Sequence, residues 1–508
     1  MKRLLCLALS LLFICLLIFA AADGAPLKYE SDFSAGTDGW YARSADQASV
    51  SVTPGGALLI EGRTAAWNSP GRDFPLIAGN TYEISVQVCQ SEVTATDFIV
   101  SVAHSTGGIE SYENLVRKSV SKGAWTTLTC TYTPGPYDRY VLYVETYTDG
   151  TIPFQIRRFT IRDTTARYDA DAMPSLKDAY ADSFLFGGCV NGFQVRNASL
   201  MALAAHQYAI VTCENEMKPD TLIDVGGSRR LAAEDETAVD VRFDSCKPIL
   251  DWAWKNGLKM HGHVFVWHSQ TPEAFFHEGY NTASPYVSRD VMLARLEHFM
   301  QQTFDYLDGN YPGMFVSYDI CNEVIDDGTG ELRNSSWRKV VGDDFVARAF
   351  EIARRCAPEG LQLYLNDYNT AWQPKQGGLV RLINTLTEEG NIDGYGLQMH
   401  HSVDSPSLRQ IRASVDAIAA TGVRIRVSEL DVGIPDTADA SLKAQADVYA
   451  GIFRILLDHA GQVDGVQVWG IIDTQSWRSG NHPLLFDGDS QPKPAFWAIS
   501  DPAGIPAQ

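Results

Sequence analysis

The chain has 508 residues, of which 45% are hydrophobic and 20% are charged, and its formal net charge is −21. These proportions are typical of a folded protein and exclude a disordered one. The length exceeds what one hydrophobic core usually supports, so it predicts two domains or one large barrel with an attachment. An acidic surface repels phosphate backbones and anionic membranes. It therefore excludes nucleic acid as a partner, argues against a stable membrane partner and favours a neutral polymer.

The first residues have the pattern of a secretory signal peptide. Lys2 and Arg3 precede an apolar run over 4–20, and three alanines stand before Asp23. A basic start, an apolar stretch and small residues at a cleavage site are the three parts of such a signal. We therefore predict a signal peptide over 1–22 and a secreted, extracellular protein. An uncleaved membrane anchor is the alternative, because the run is close to the ~17-residue minimum for crossing a bilayer.

The cysteines do not form a recognisable framework. Cys6 and Cys15 belong to the signal, and the other seven are widely spaced with no Cys-x-x-Cys pair. This spacing argues against a set of disulfides and against a zinc site, so we expect most of them to be small buried residues. A bridge between Cys89 and Cys130 remains open.

Residues 28–163 contain short stretches in which apolar and polar side chains alternate. Examples are "NTYEISVQVCQ", "AWTTLTCTYT" and "RYVLYVETYT". A period of two, rich in Val, Thr and Tyr and interrupted by turns, predicts an all-β sandwich of the jelly-roll type. The polar stretch that follows has neither periodicity, so we place a linker at 164–177.

Beyond the linker, apolar strands alternate with helical stretches. The candidate strands occupy 184–190, 209–213, 259–267, 314–322, 361–366, 394–399, 424–429 and 465–469. Eight strand-helix units predict an α/β fold, a (β/α)8 TIM barrel over 178–502. An open doubly wound sheet is the alternative, although no glycine-rich nucleotide motif follows any strand.

Polar and aromatic side chains collect where these strands end, which is where a TIM barrel carries its active site. They are Glu214, Asn215, Lys218, His263, Trp267, His268, Asn322, Glu323, Asn366, Tyr368, Gln398, His400, Glu429, Asp431, Trp469 and Trp477. Two glutamates on different strands can flank one bond, tryptophans offer flat faces to sugar rings, and amides bind hydroxyls. The set therefore predicts a glycosidase site. A zinc site built on His261, His263 and His268 is the alternative, but we expect no carboxylate or cysteine near them to complete it.

The motifs "ENEMK", "GHVFVWHSQTP", "YDICNEV", "GYGLQMHH" and "RVSELDV" resemble, in this order, glycoside hydrolase family 10, the retaining endo-β-1,4-xylanases. The resemblance covers about 178–500. It implies that Glu323 is the general acid/base and that Glu429 is the nucleophile. The chain departs from the family pattern at His261, where the family has Arg, and at Ser428, where it has Thr. Neither change removes a group that does chemistry.

The same resemblance implies roles for the side chains around the two glutamates. His400 would orient Glu429, with Asp431 behind it. The side chains implied to bind substrate are Glu214, Asn215, Lys218, His263, Trp267, Asn322, Tyr368, Gln398, His400, Trp469 and Trp477. No cofactor and no metal are implied for catalysis.

The first domain resembles carbohydrate-binding module family 22, a xylan-binding sandwich, through "GRTAAWNSPGRDF" and "VLYVE". The resemblance implies a sugar cleft formed by Trp67, Tyr143 and Glu145, together with Arg43 and Tyr112. The alternative is that Trp67 and Tyr143 belong to the sandwich core. Because members of this family often hold a structural calcium, the resemblance adds calcium as an expectation for this module.

The sequence thus predicts a secreted retaining endo-β-1,4-xylanase that cleaves internal bonds of xylan by double displacement and carries an N-terminal xylan-binding module. Xylan and xylo-oligosaccharides are the expected partners, and a monomer is the expected state. The cluster of Glu214, Asn215 and Lys218 favours xylose, which lacks a hydroxymethyl arm. A β-1,4-glucanase or an aryl-β-glycosidase on the same scaffold is the alternative enzyme. A noncatalytic glycan-binding protein is the alternative from another class, and the presence of both glutamates argues against it.

Overall fold

The computed structural model describes residues 27–147, 150–164 and 173–506. The predicted signal peptide at 1–22 and most of the predicted linker at 164–177 therefore lie outside the described residues. In the part of the chain that is described, no helix is long and apolar enough to cross a membrane. The chain divides into two compact units, an all-β unit and a barrel unit.

Among the described residues, eleven strands build the all-β unit. They are β1 (Lys28–Ser31), β2 (Tyr41–Ala42), β3 (Ser49–Val52), β4 (Leu58–Glu61), β5 (Pro70–Asp73), β6 (Tyr82–Gln90), β7 (Ala95–Thr106), β8 (Ile109–Ser121), β9 (Thr126–Tyr132), β10 (Arg139–Thr146) and β11 (Phe154–Asp163). One antiparallel sheet has the order β3-β4-β11-β6-β9 with β1 paired to β11, and the other has the order β2-β5-β10-β7-β8.

Alternating side chains explain why these segments form a sandwich. Along β6, Tyr82, Ile84, Val86 and Val88 are fully buried, while the residues between them are more exposed. Side chains of successive strand residues point to opposite faces, so a period of two places one face in the core. The predicted all-β sandwich is confirmed.

In the described range 173–506, eight parallel strands close into a barrel. They are β12 (Leu185–Val190), β13 (Ile210–Cys213), β14 (Lys259–Trp267), β15 (Phe315–Asn322), β16 (Gln362–Tyr368), β17 (Gly394–Ser402), β18 (Arg424–Gly433) and β19 (Val463–Val468). Each strand pairs with the next, and β12 pairs with β19 to close the ring. The predicted TIM barrel is confirmed.

Helices precede, connect and follow the barrel strands. They are α1 (Leu176–Ala179), α2 (Ala198–Gln207), α3 (Pro219–Leu222), α4 (Val225–Leu231), α5 (Lys247–Lys255), α6 (Arg289–Asn310), α7 (Ser336–Val341), α8 (Phe345–Cys356), α9 (Lys375–Glu388), α10 (Leu408–Ala419), α11 (Asp439–Asp458) and α12 (Pro494–Ile499). Helix α10 shows why they form: Ser407 and Gln410 make a capping box at its start, and Ile411, Val415 and Ile418 form one buried stripe.

Strands β17 and β18 run several residues further than their sequence pattern predicts. The predicted strands end at 399 and 429, whereas β17 continues to Ser402 and β18 to Gly433. Their ladder shifts register after Leu397 and then continues, so that His400 pairs with Asp431. The predicted site residues on these strands therefore lie on paired backbone and not in loops.

The seven cysteines of the described residues are all free. Cys89 lies on β6 and Cys130 on β9, and the bridge that the sequence left open does not form. Burial raises the pKa of the Cys130 thiol to about 11, so this thiol stays protonated and unreactive at neutral pH. The sandwich is therefore held by its apolar core.

Candidate active site

A cleft of about 510 Å³ lies at the carboxyl ends of the barrel strands. Its lining residues are Glu214, Asn215, Lys218, His263, Trp267, Gln270, Asn322, Glu323, Tyr368, Asn369, Gln398, His400, His401, Glu429, Trp469 and Trp477. Every barrel residue predicted to bind substrate lies here, together with both glutamates. The sequence prediction missed Gln270, Asn369 and His401. Each stands within a motif already quoted or directly beside a predicted residue, and this adjacency was the available signal.

Glu323 follows β15 and turns the chain sharply. Its φ of 56° lies in the left-handed region, which a non-glycine residue enters only at a cost, so the strand ends at Asn322. Its backbone N–H donates to the carbonyl of Asn366 at 2.9 Å. Trp267 Nε1 donates to Glu323 Oε2 at 2.9 Å. The turn directs the Glu323 carboxyl group into the cleft.

Glu429 lies within β18 and is held by two side chains. Asn366 Nδ2 donates to Glu429 Oε1 at 3.1 Å, and His400 Nε2 lies 3.0 Å from Glu429 Oε2. The other ring nitrogen of His400, Nδ1, lies 2.7 Å from Asp431 Oδ2. His400 therefore bridges two carboxylates.

Electrostatics make His400 a cation. Burial alone would lower its pKa, but Asp431 and Glu429 outweigh burial and raise the pKa of His400 to about 10. Burial likewise opposes the charge on Asp431, but His400 and Arg478 outweigh it and lower the pKa of Asp431. Both ring nitrogens of His400 thus donate at neutral pH, one to Asp431 and the other to Glu429.

A row of amides connects the two glutamates. The Asn322 side-chain amide contacts that of Gln398 at 2.8 Å and that of Asn366 at 3.1 Å. Gln398 Nε2 also lies 3.4 Å from Glu323 Oε1. Because Asn366 contacts Glu429 as well, one buried polar network fixes both carboxyl groups relative to each other.

Lys218 and its polar neighbours form another wall of the cleft. Lys218 Nζ donates to Asn215 Oδ1 and to Gln270 Oε1, each at 3.0 Å, and lies 5.0 Å from the centre of the Trp267 ring. Burial raises the pKa of Glu214. These groups stand beside an aromatic face, which suits a sugar ring with several hydroxyls.

Two tryptophans after β19 differ in exposure. Trp469 is 6% exposed and Trp477 is 59% exposed, and both line the cleft. Trp477 Nε1 donates to Asp431 Oδ2 at 3.0 Å, so the exposed ring is anchored at its polar end. A flat ring fixed in this way is a platform for stacking.

The histidines of the zinc alternative take different positions. His263 Nδ1 and His261 Nε2 lie 2.8 Å and 3.0 Å from one oxygen of the buried Asp319, contrary to the expectation that no carboxylate stands near them. Burial would raise the pKa of Asp319, but the two histidines outweigh it and lower that pKa to about 2. Sequence reasoning missed Asp319, because the parallel pairing of β14 with β15 brings it there. Across the described ranges, no group of three or more His, Cys, Asp or Glu side chains is placed to hold a metal ion.

The sequence model of Glycosyl hydrolase family 10 matches residues 175–502, which is more than half of the chain. The chain belongs to glycosyl hydrolase family 10. A carbohydrate-binding domain model matches residues 25–151, ahead of the family 10 domain.

Relatives that match more than 90% of this chain support the assignment to family 10. Endo-1,4-beta-xylanase Y of Acetivibrio thermocellus is 30% identical over 506 residues, covering 92% of this chain and 46% of the relative. An exoglucanase of the same organism is also 30% identical, over 96% of this chain and 46% of that protein. The chain thus spans less than half the length of these curated relatives.

A solved structure that contains a binding module and a family 10 domain matches almost the whole chain. It is the family 22 binding module and family 10 domain of xylanase 10B from Clostridium thermocellum in complex with xylohexaose. The identity is 29%, the TM-score is 0.63, and the match covers 95% of this chain and 98% of that one. The predicted resemblance to family 10 and to binding module family 22 is confirmed.

The binding module of this family 10 protein presents its predicted cleft residues in two ways. Trp67 and Tyr112 are exposed, at 63% and 60%, so Trp67 does not belong to the core. Tyr143 is buried beneath Arg43, whose guanidinium carbon lies 3.7 Å from the ring centre and 5.6 Å from that of Tyr112. Burial raises the pKa of Glu145, which accepts a hydrogen bond from Ser101 at 2.8 Å.

Calcium in the module remains a prediction. Calcium prefers several oxygen ligands, usually including carboxylates. The described part of the module contains no group of three or more candidate ligand side chains. The residues present therefore do not fit a carboxylate-rich calcium site.

Proposed function

We propose that the protein is a retaining endo-β-1,4-xylanase in which Glu429 is the nucleophile and Glu323 the general acid/base. One observation supports this assignment above the others: the two glutamates line one cleft, and Glu429 alone of the pair contacts the cationic His400. The cation holds the Glu429 carboxyl group in place for attack, as a nucleophile requires. Glu323 instead accepts hydrogen bonds from the indole N–H of Trp267 and from the side-chain amide of Gln398, and neither donor is a cation.

The reaction follows as two displacements. Glu429 attacks the anomeric carbon while Glu323 gives its proton to the departing glycosidic oxygen, so the C–O bond breaks and a glycosyl ester forms on Glu429. Glu323, now a carboxylate, then takes a proton from water as the water attacks the same carbon. The ester bond breaks, Glu429 is released, and the configuration at the sugar is retained after two inversions.

The proposed substrate is supported by the activities of the relatives and by the polar side chains along one wall of the cleft. Matching proteins are xylanases, and the similar solved structure holds xylohexaose. The cluster of Glu214, Asn215 and Lys218 offers polar groups to the hydroxyls of a sugar without a hydroxymethyl arm. The exoglucanase relative favours a β-1,4-glucan as the second candidate substrate. Release of reducing ends from xylan, carboxymethylcellulose and mixed-linkage glucan distinguishes the two.

Azide rescue tests the two assigned roles. In Glu429→Ala, azide occupies the space of the nucleophile and should restore turnover of an activated aryl xylobioside as an α-glycosyl azide. In Glu323→Ala, azide attacks the glycosyl ester and should give a β-glycosyl azide. Products of the reverse configuration would exchange the roles, and wild-type activity of either variant would remove that residue from the mechanism.

Export and oligomeric state belong to the same proposal. The amino-terminal pattern supports secretion of a protein that acts on an extracellular polymer, and we propose that it acts as a monomer. Amino-terminal sequencing of protein from the culture medium should start near residue 23. Light scattering should give the mass of one chain, and a dimer mass would contradict the monomer.

A further inference from the structure

A buried lysine outside the cleft connects the loop that carries Glu323 to the strand that carries Asn366. Lys375 begins α9 and is 1% exposed. Its ammonium lies 2.7 Å from Asp367 Oδ1 and 3.0 Å from Asp327 Oδ1. Asp367 belongs to β16, whereas Asp327 belongs to the loop after β15, so one cation joins two segments that are distant in sequence.

The two carboxylates extend this connection to the cleft. Asp367 Oδ2 accepts a hydrogen bond from the backbone of Ile325 at 3.3 Å, two residues after Glu323. Asp327 Oδ2 accepts a hydrogen bond from the Tyr368 hydroxyl at 2.6 Å, and Lys375 Nζ lies 3.5 Å from the centre of the Tyr368 ring. Tyr368 lines the cleft. Lys375 itself does not.

Glu323 needs such external support. Its left-handed backbone persists only where neighbouring contacts hold it. Arg333 Nε donates to the Glu323 carbonyl at 3.0 Å, and Arg333 Nη2 lies 3.2 Å from the Tyr368 hydroxyl. The turn at Glu323 is thus fastened through Arg333, Tyr368 and Asp327 to Lys375.

Stability alone gives little reason for this arrangement. A buried ion pair loses about as much in desolvation as it gains in attraction, and apolar replacements are often neutral or stabilising. Burial outweighs the opposing charge of Lys375 and raises the pKa of Asp367 to about 7, which shows how poorly solvated the pair is. What the contacts of Lys375 do provide is a fixed geometry between the loop after β15 and the end of β16.

We propose that Lys375 is a positioning residue for proton transfer by Glu323, acting through Asp327 and Asp367. The inference rests on the proposed function, in which Glu323 is the general acid/base. Without the ammonium, the contacts of Lys375 that join the loop at 323–333 to the end of β16 are lost. The carboxyl group of Glu323 then shifts relative to the glycosidic oxygen. Displacement of a catalytic group by about 1 Å can lower the reaction rate on the order of 10²-fold.

Lys375→Met tests the proposal in the full-length protein, because methionine keeps the apolar stem and removes the charge. We expect kcat/KM on xylotetraose to fall about 10- to 100-fold, whereas the first step on 2,4-dinitrophenyl xylobioside changes less than about threefold, since a good leaving group needs little protonation. The release of dinitrophenol should then show a burst, because the second step still needs Glu323 as base. An equal loss on both substrates, or no loss on xylotetraose, would overturn the proposal.

Two further variants separate positioning from general damage. Arg295→Met removes another fully buried cation, which pairs with Glu236 on the outside of the barrel. It should lower the melting temperature without changing the ratio of the two activities. Asp327→Asn removes one partner of Lys375 at a partly exposed position, so it carries the test if Lys375→Met does not fold, and it should lower the xylotetraose rate selectively. Azide rescue of Glu323→Ala tests the proposed function independently of all three variants.

Discussion

At the scale of single residues, His400 shows how the environment sets a charge. The imidazole is bound on both sides by carboxylates, and its pKa of about 10 keeps it protonated at neutral pH. The same cation holds Glu429 in place and compensates its charge. A residue with two such tasks links the stability of the barrel to its activity.

This coupling predicts a pH dependence of stability. Folding raises the pKa of His400 from its ordinary value of 6.5 to about 10. The stability from this proton is therefore complete below pH 6.5 and is lost as the pH rises through 10. In His400→Asn the contribution is absent, so the free energy of unfolding in urea should fall less steeply between pH 7 and 10 than in the wild type. Parallel curves for the two proteins would contradict the assignment.

At the scale of elements, β17 makes room for the network that joins the glutamates. Gly396 lies beside Asn366, and a Cβ at this position would meet Asn366 Oδ1 at 2.3 Å. Asn366 also accepts a hydrogen bond from Ser428 at 2.6 Å and is fully buried, so it cannot move aside easily. The missing side chain on one strand thus positions a side chain on the next.

Gly396→Ala should therefore disturb both glutamates together. We expect a loss of stability of about 1–3 kcal/mol from the forced displacement and a fall in kcat on the order of 10²-fold. Unlike Lys375→Met, this variant should slow xylotetraose and the activated aryl xylobioside alike, because Asn366 contacts Glu429 as well as the Glu323 turn. Steady-state kinetics on both substrates, with urea unfolding, measure these effects.

Gly309→Ala is the matched control. Gly309 lies in α6, and a Cβ there meets no atom within 4 Å. This substitution should leave kcat unchanged and stabilise the protein by about 0.5–1 kcal/mol, since alanine favours a helix over glycine. If both glycine variants had the same kinetics, the steric role of Gly396 would be wrong.

At the scale of the whole molecule, the chain combines a binding module with a catalytic barrel. We expect the module to raise the local concentration of enzyme on insoluble xylan without taking part in the chemistry. Trp67→Ala in the full-length protein should weaken retention on insoluble xylan at least about fivefold, since truncation of an important aromatic binding residue costs more than about 1 kcal/mol. Hydrolysis of soluble xylotetraose should not change.

Trp125→Ala provides the comparison for Trp67→Ala. The ring of Trp125 packs against Arg157 of β11, with 4.0 Å between the guanidinium carbon and the ring centre. Strand β11 belongs to one sheet of the sandwich, and β10, which carries Tyr143 and Glu145 of the predicted cleft, belongs to the other. Trp125→Ala should therefore leave xylan retention intact. Deletion of 28–163 should reproduce the effect of Trp67→Ala. A large loss on xylotetraose after that deletion would mean that the module supports the barrel structurally.

The sequence alone determined the architecture and most of the site. Strand and helix periodicities are local properties, so the sandwich and the barrel could be predicted from short stretches. Parallel strands of a barrel end at one face, and this rule brought Glu323, Glu429, Gln398 and Trp469 together before any coordinates were known. The side chains at 270 and 369 were missed because a strand pattern marks where a strand ends and not how far its following loop returns to the cleft. The side chain at 401 was missed because β17 runs past its predicted end at 399.

Only the tertiary structure decided the charge of His400, the contacts of Asp319 with its histidines and the contacts of Lys375 that support the Glu323 turn. The cationic state of His400 depends on two carboxylates brought to it by strand pairing, and Asp319 meets its histidines across β14 and β15. The contact of Lys375 with Asp327 joins positions 48 residues apart. Such contacts depend on distances of a few ångströms between segments that are remote along the chain. Local periodicity carries no information about these distances, because they are set by the packing of the whole barrel.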